Sequence, residues 1–114
     1  MTFTNNELKE LEQFNFTNIR PSESIKSKCI QMSQRIKMNF DNINGIKLKS
    51  KFFVSKHTNE YKVIGIIVHD SESLVYYSGS KYLLIALKNV EAGLRKQINK
   101  SSVKKDQVKY RHAV

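Results

Sequence analysis

Two stretches of the chain space their apolar residues for helices, and the stretch between them alternates at a period of two. Ile25, Cys29, Met32, Ile36 and Phe40 recur at steps of four, three, four and four, which makes one stripe of an amphipathic helix. Pro21, Ser22 and Glu23 are start signals, so the spacing predicts a helix over about 22–40. Asp41, Asn42, Asn44 and Gly45 break the pattern and predict a turn. Leu83, Leu87, Val90, Leu94 and Ile98 repeat the same steps and predict a second long helix over about 81–100, opened by Gly79 and Ser80.

From Ile46 the alternation begins. Ile46, Leu48, Ser50, Phe52 and Val54 interleave with Lys47, Lys49, Lys51, Phe53 and Ser55, so a strand here buries one face and turns a row of lysines outward. The loop His57, Thr58, Asn59, Glu60 leads into Tyr61–His69. There Val63, Ile64, Ile66, Ile67 and Val68 are nearly continuous, a run that suits a central strand covered at least partly on both faces. Asp70 to Ser73 turns the chain into a third strand, Leu74–Ser78, with Tyr76 and Tyr77.

At the front, Thr4 with Glu7 three residues on forms a capping box, and Phe3 with Leu8 occupies the staple positions. A short acidic helix over about 4–14 follows, with Leu8, Leu11 and Phe14 apolar. Asn15 to Arg20 reads as an extended segment. After Lys100 the periodicity dissolves, and 101–114 reads as a flexible basic tail. The expected architecture is α+β: a three- or four-stranded antiparallel sheet packed against two long helices, in a single domain over 1–100.

Charge sharpens this picture. The first 24 residues hold two bases against four acids, and the remaining 90 hold 18 bases against six acids, so −2 at the front becomes +12 behind it. A domain that keeps such a surplus repels itself and usually meets a polyanion that neutralises it. Sixteen lysines against four arginines, with 11 isoleucines and 10 asparagines, also fit AT-rich codon usage. Codon bias, however, scatters lysine evenly and does not produce an acidic front with a basic body.

With 114 residues and one cysteine, the chain has room for one core and no intramolecular disulfide. It has no apolar run of the roughly 20 residues a membrane span needs, and its first residues are not a signal peptide. A soluble cytoplasmic protein that meets no membrane is expected.

Few motifs carry catalytic chemistry. His57, His69 and His112 share no metal-ligand spacing, and Cys29 lies on an apolar stripe, where a thiol packs inertly. Asp41 with Glu60 and Lys62 echoes restriction-type nucleases, but Glu-x-Lys is short enough to recur by chance, as Glu7 and Lys9 show. The four glycines are isolated, so no phosphate loop exists. The reading is a non-enzymatic protein without cofactor or metal.

The basic features point to nucleic acid, RNA or DNA. Lys47, Lys49 and Lys51 on one strand face stand roughly 7 Å apart, close to the spacing of phosphates along one strand. Phe53 extends that face, and Tyr76 or Tyr77 reaches it, in the manner of aromatic rings that stack on single strands; alternatively the face is simply solvated, or the N-terminal helix covers Phe53. Lys81, Lys88 and Arg95 repeat every seven residues on one helix face. Arg95, Lys96, Lys100, Lys104, Lys105, Lys109 and Arg111 against Asp106 give the last 20 residues a net +6, either a phosphate-neutralising arm or a solvated terminus.

The order helix, three strands, helix over 22–100 resembles the double-stranded RNA-binding domain. Ser78, Gly79, Ser80 and Lys81 stand where that family opens its last helix, and His57 stands in its strand 1 to 2 loop, though Tyr82, Leu83 and Leu84 depart from its lysines and alanine. The resemblance implies minor-groove contact from Lys56 and His57 and phosphate contact from Lys81. Counting Asn15–Ile19 as a first strand, the order also resembles the ribosome hibernation factors, with Leu94 to Lys100 similar in character to their basic helix; this implies ribosomal RNA as partner.

The alternative reading is a small inhibitor or accessory protein, of the kind mobile elements and phages encode, that binds a nucleic-acid enzyme. Its interface would be the same lysines in an acidic pocket, or the acidic helix offered as a decoy. The tyrosine-rich third strand near a sheet edge offers a surface for a homodimer.

Overall fold

A computed structural model describes residues 3–44, 49–69 and 72–113, with side chains over 3–38, 49–68 and 73–99. The elements run α1 (Asn5–Leu11), β1 (Phe14–Thr17), α2 (Glu23–Asn44), β2 (Lys49–Lys56), β3 (Tyr61–His69), β4 (Glu72–Ser80) and α3 (Leu83–Ala113).

The helix starts follow the local chemistry. Thr4 caps α1 by accepting from the Glu7 amide at 3.2 Å, while the Glu7 carboxylate accepts the Thr4 amide at 3.0 Å, a complete capping box. Ser22 caps α2 by accepting from the Ile25 amide at 3.2 Å. The first helix ends at Leu11 and not near residue 14, because Phe14 and Phe16 alternate into β1. Asn18 follows at φ 60°, a left-handed conformation that asparagine tolerates better than most residues, and turns the chain from β1 towards α2.

The sheet order is β1-β2-β3-β4. The β2–β3 and β3–β4 pairs are antiparallel as expected, but β1 pairs with β2 in parallel, with Phe14 opposite Phe52 and Thr17 opposite Ser55. The expected all-antiparallel sheet is therefore a mixed one. Its cause is the connection: α2 carries the chain from the end of β1 back to the start of β2, and such a crossover delivers the second strand in the same direction. Phe14 and Phe52 stack with ring centroids 4.5 Å apart.

Helices α2 and α3 cover one face of the sheet. Phe52, Val54, Val63 and Ile67 from the strands meet Cys29, Met32 and Ile36 of α2 and Ala86, Leu87, Val90, Leu94 and Ile98 of α3 in one buried cluster. Both helical stripes read from the sequence thus face the core, apart from Phe40, whose side chain lies outside the described residues. Gly65 sits where α3 comes closest: a β-carbon there would stand 2.7 Å from Leu94 Cδ1 and 2.8 Å from Val90 Cγ1.

Three further expectations meet the structure differently. The turn at 41–44 is instead the last turn of α2, since the few tenths of a kcal/mol that separate Asp and Asn from better helix formers are easily overridden. The third strand is longer than Leu74–Ser78, pairing with β3 from Glu72 to Ser80. The segment 101–113, expected as a flexible tail, continues α3, and its side chains lie outside the described residues. No helix among the described residues is long and apolar enough to cross a membrane.

Candidate nucleic-acid interface

Among the described residues, no element covers the second face of the sheet. Alternation along β2 sends Phe52 and Val54 into the core and Lys49, Lys51 and Phe53 to the other side, where both lysines are exposed and Phe53 is partly so. Lys51 Nζ lies 5.3 Å from the centre of the Phe53 ring, a cation–π distance. Lys47, the first of the expected row, lies outside the described residues. Helix α1 packs on α2, where Glu10 binds Ser33 and Lys37, and not over Phe53.

Register extends this face across β3 and β4. Phe53 is opposite Ile64 and Ile64 opposite Tyr77; Lys51 is opposite Ile66 and Ile66 opposite Val75. Tyr77 therefore joins Phe53, whereas Tyr76 points to the helix side, where Gly93 leaves room for its ring; a β-carbon at Gly93 would stand 2.4 Å from it. The sequence alone left the two tyrosines undecided because Leu74 to Tyr77 is apolar throughout. Lys62 also shares this face, and sequence reasoning missed it. Its signal was parity with Ile64 and Ile66, which places it on the same face, where it approaches Glu60 at 4.0 Å.

The other expected site residues fall into separate groups. Lys56, His57 and Lys81 gather at one end of the sheet: Lys56 is opposite Tyr61 and Tyr61 opposite Ser80, with Lys56 Nζ 5.7 Å from the Tyr61 ring. His57 Nε2 is 3.2 Å from Ser55 Oγ, and Lys81 shares a shallow groove with Tyr61, Arg20 and Tyr82.

Lys88 and Arg95 stand on the helical layer, away from the open face. There Arg35 grips Glu91 with both arms of its guanidinium, at 2.9 and 2.7 Å, and Arg95 adds a third contact at 3.5 Å. Glu91 is nearly buried, and these arginines offset its charge and tie α2 to α3. The hydrogen bonds that Arg35 donates to Glu91 raise its pKa above the ordinary value despite some desolvation. Arg95 is thus partly committed within the fold. Lys96 lines a groove of about 690 Å³ between β4 and α3, beside Tyr76, Ser78 and Gly93. Lys104 and Lys105 are on α3, with side chains outside the described residues.

The acidic front helix is also bound into the fold. Glu10 accepts from Ser33 at 2.7 Å, Lys37 at 3.0 Å and Gln13 at 2.7 Å. Burial by itself would raise the Glu10 carboxyl, but these hydrogen bonds and the Lys37 charge outweigh it and hold the group below its ordinary value. With Glu7 engaged in the cap, two of the helix's acids are occupied, which leaves little for a decoy. Burial pushes the Cys29 thiol up to about 12, so it stays protonated at neutral pH and packs as an apolar group. Among the described residues no cluster of His, Cys, Asp or Glu could hold a metal.

No protein-family model matches the chain, and no curated protein sequence matches it. Solved structures do share its fold. The Protein Y N-terminal domain of Thermus thermophilus aligns with TM-score 0.62 at 11% identity, over 76% of this chain and 93% of that one. A ribosomal subunit interface protein from Coxiella burnetii aligns with TM-score 0.54 at 8% identity, over 79% and 97%. At such identity the likeness establishes the fold. Of the two resemblances drawn from the sequence, these neighbours support the fold of the ribosome hibernation factors and do not show the double-stranded RNA-binding domain.

Proposed function

We propose that this chain is a non-enzymatic nucleic-acid-binding protein that works at the ribosome in the cytoplasm, through lysine contacts to RNA phosphate. The observation that carries the reading is the open sheet face, on which the described charged residues of β2, β3 and β4 are Lys49, Lys51 and Lys62, against the one carboxylate of Glu60 in the adjoining loop. A sheet fixes the spacing of the points from which these lysines project, and each phosphate they neutralise releases a counterion. The +10 surplus adds a long-range field that speeds encounter with a polyanion. The fold shared with a ribosomal subunit interface protein supports the ribosome as the place where that polyanion is met.

Sedimentation of the purified protein with ribosomes through sucrose, over a series of salt concentrations, tests the proposal. Co-sedimentation at low salt that declines steeply with added salt is expected, and the triple variant Lys49→Gln, Lys51→Gln, Lys62→Gln should decline less steeply. Protein left at the top of the gradient at low salt overturns the reading.

A further inference from the structure

The open face is more apolar than a solvated face needs to be. Phe53, Ile64, Ile66, Val68, Val75 and Tyr77 form a continuous patch on it, with Phe53 37%, Val68 40%, Val75 51% and Tyr77 52% exposed. Antiparallel sheets that turn one face to water usually alternate to polar residues there, and a contiguous exposed patch marks an interaction surface. Here the lysines stand along one flank and at one corner: Lys49 and Lys51 on β2, Lys62 on β3. Phe53 and Tyr77 lie on one cross-strand row with Ile64 between them, so their attachment points are two strand spacings, about 10 Å, apart.

Resting on the nucleic-acid reading above and narrowing it, we infer that this face binds single-stranded nucleic acid, with bases stacked on Phe53 and Tyr77 and phosphates at Lys49, Lys51 and Lys62. The argument is one of complementarity. A single strand presents flat apolar rings beside a chain of negative charges, and the face presents flat apolar rings beside a chain of positive ones; Lys51 lies against Phe53, so a base and its neighbouring phosphate find their partners side by side. A duplex keeps its bases stacked inside and offers mainly phosphate and sugar, which would press polar groups onto Val75 and Tyr77. Sheet backbone in the middle of the face is hydrogen-bonded within the ladder, so base edges meet few donors there. Binding is accordingly tolerant of sequence, as stacking is. Asn15, opposite Phe53 in the register, is the nearest side-chain amide on the row.

Fluorescence anisotropy with labelled oligouridylate, oligodeoxyuridylate and an RNA duplex of equal length tests the inference. The single strands should bind more tightly than the duplex, and the two single strands report whether the 2′-hydroxyl matters. Replacing one ring, Phe53→Ala or Tyr77→Ala, should weaken single-strand binding about tenfold with the salt slope unchanged. The lysine triple variant should lower that slope by about 0.7 per lost phosphate contact. Both rings are partly solvent-exposed, and circular dichroism verifies that each variant is folded. Equal binding of duplex and single strand, together with ring variants that bind like the unsubstituted protein, overturns the inference while the nucleic-acid reading stands. Absence of binding to all three probes overturns both. A dimer in analytical ultracentrifugation that Phe53→Ala disrupts, in protein that ignores the single strands, assigns the face to a second copy of the chain and also overturns the inference.

Discussion

Two neighbouring phenylalanines on β2 live in different solvents. Phe52 is fully buried against Phe14 beneath α2 and α3, while Phe53, one residue on and facing the other way, is 37% exposed among lysines. The same alternation divides β3, where Val63 and Ile67 lie in the core and Ile64, Ile66 and Val68 on the open side. One face is apolar because it is covered. The other is apolar with no described element over it, and that asymmetry separates a stability determinant from the candidate binding surface.

Breaking the contrast on the covered side should have the largest effect. Phe52→Ala removes a ring from a closed core and should cost about 3–5 kcal/mol, whereas Phe53→Ala should cost less than about 1 kcal/mol because its site already meets water; urea unfolding of the two variants measures the gap. Gly65→Ala follows. Its new methyl meets Leu94 and Val90 below 3 Å, and overpacking of this kind costs about 1–3 kcal/mol, read from the denaturation midpoint.

A smaller effect than at Phe52 or Gly65 is expected on the flank of the helical layer. Glu10→Gln should destabilise by about 1 kcal/mol at neutral pH through weakened hydrogen bonds to Ser33 and Lys37. The carboxyl is held below its ordinary value when folded, so its contribution is present above the usual carboxylate range of about 4 and is lost as pH falls through the lowered folded value. The gap between Glu10→Gln and the unsubstituted protein should therefore close on acidification. A gap that widens towards low pH would contradict the assignment.

The layering was legible in the sequence because each element has its own period. The stripes Ile25 to Ile36 and Leu83 to Ile98 announce two helices that bury one side, and Lys49, Lys51 and Phe53 announce the outward side of β2. What local periodicity does not encode is the partner. Nothing in Phe14 to Thr17 states that the segment pairs with β2, or in which direction, since the cause lies in the crossover through α2. The nearly continuous apolar run of β3 suggested at least partial cover on both sides, because hydrophobicity records a preference for burial and not whether the chain itself supplies the cover. Lys62 and Tyr77 entered the site only through register, which sets residues from three strands in one row.

The parallel attachment of β1 bears on the order in which the molecule assembles. The β2–β3 and β3–β4 hairpins close short loops, while β1 docks across the whole of α2, a longer closure with a larger entropic toll. This four-residue edge strand, with α1 in tow, is the natural last piece to fold and the first to peel away. Transient departure would unveil the outer rim of β2 beside Phe53, at the cost of the Phe14–Phe52 stack and of the Glu10 contacts to Ser33 and Lys37.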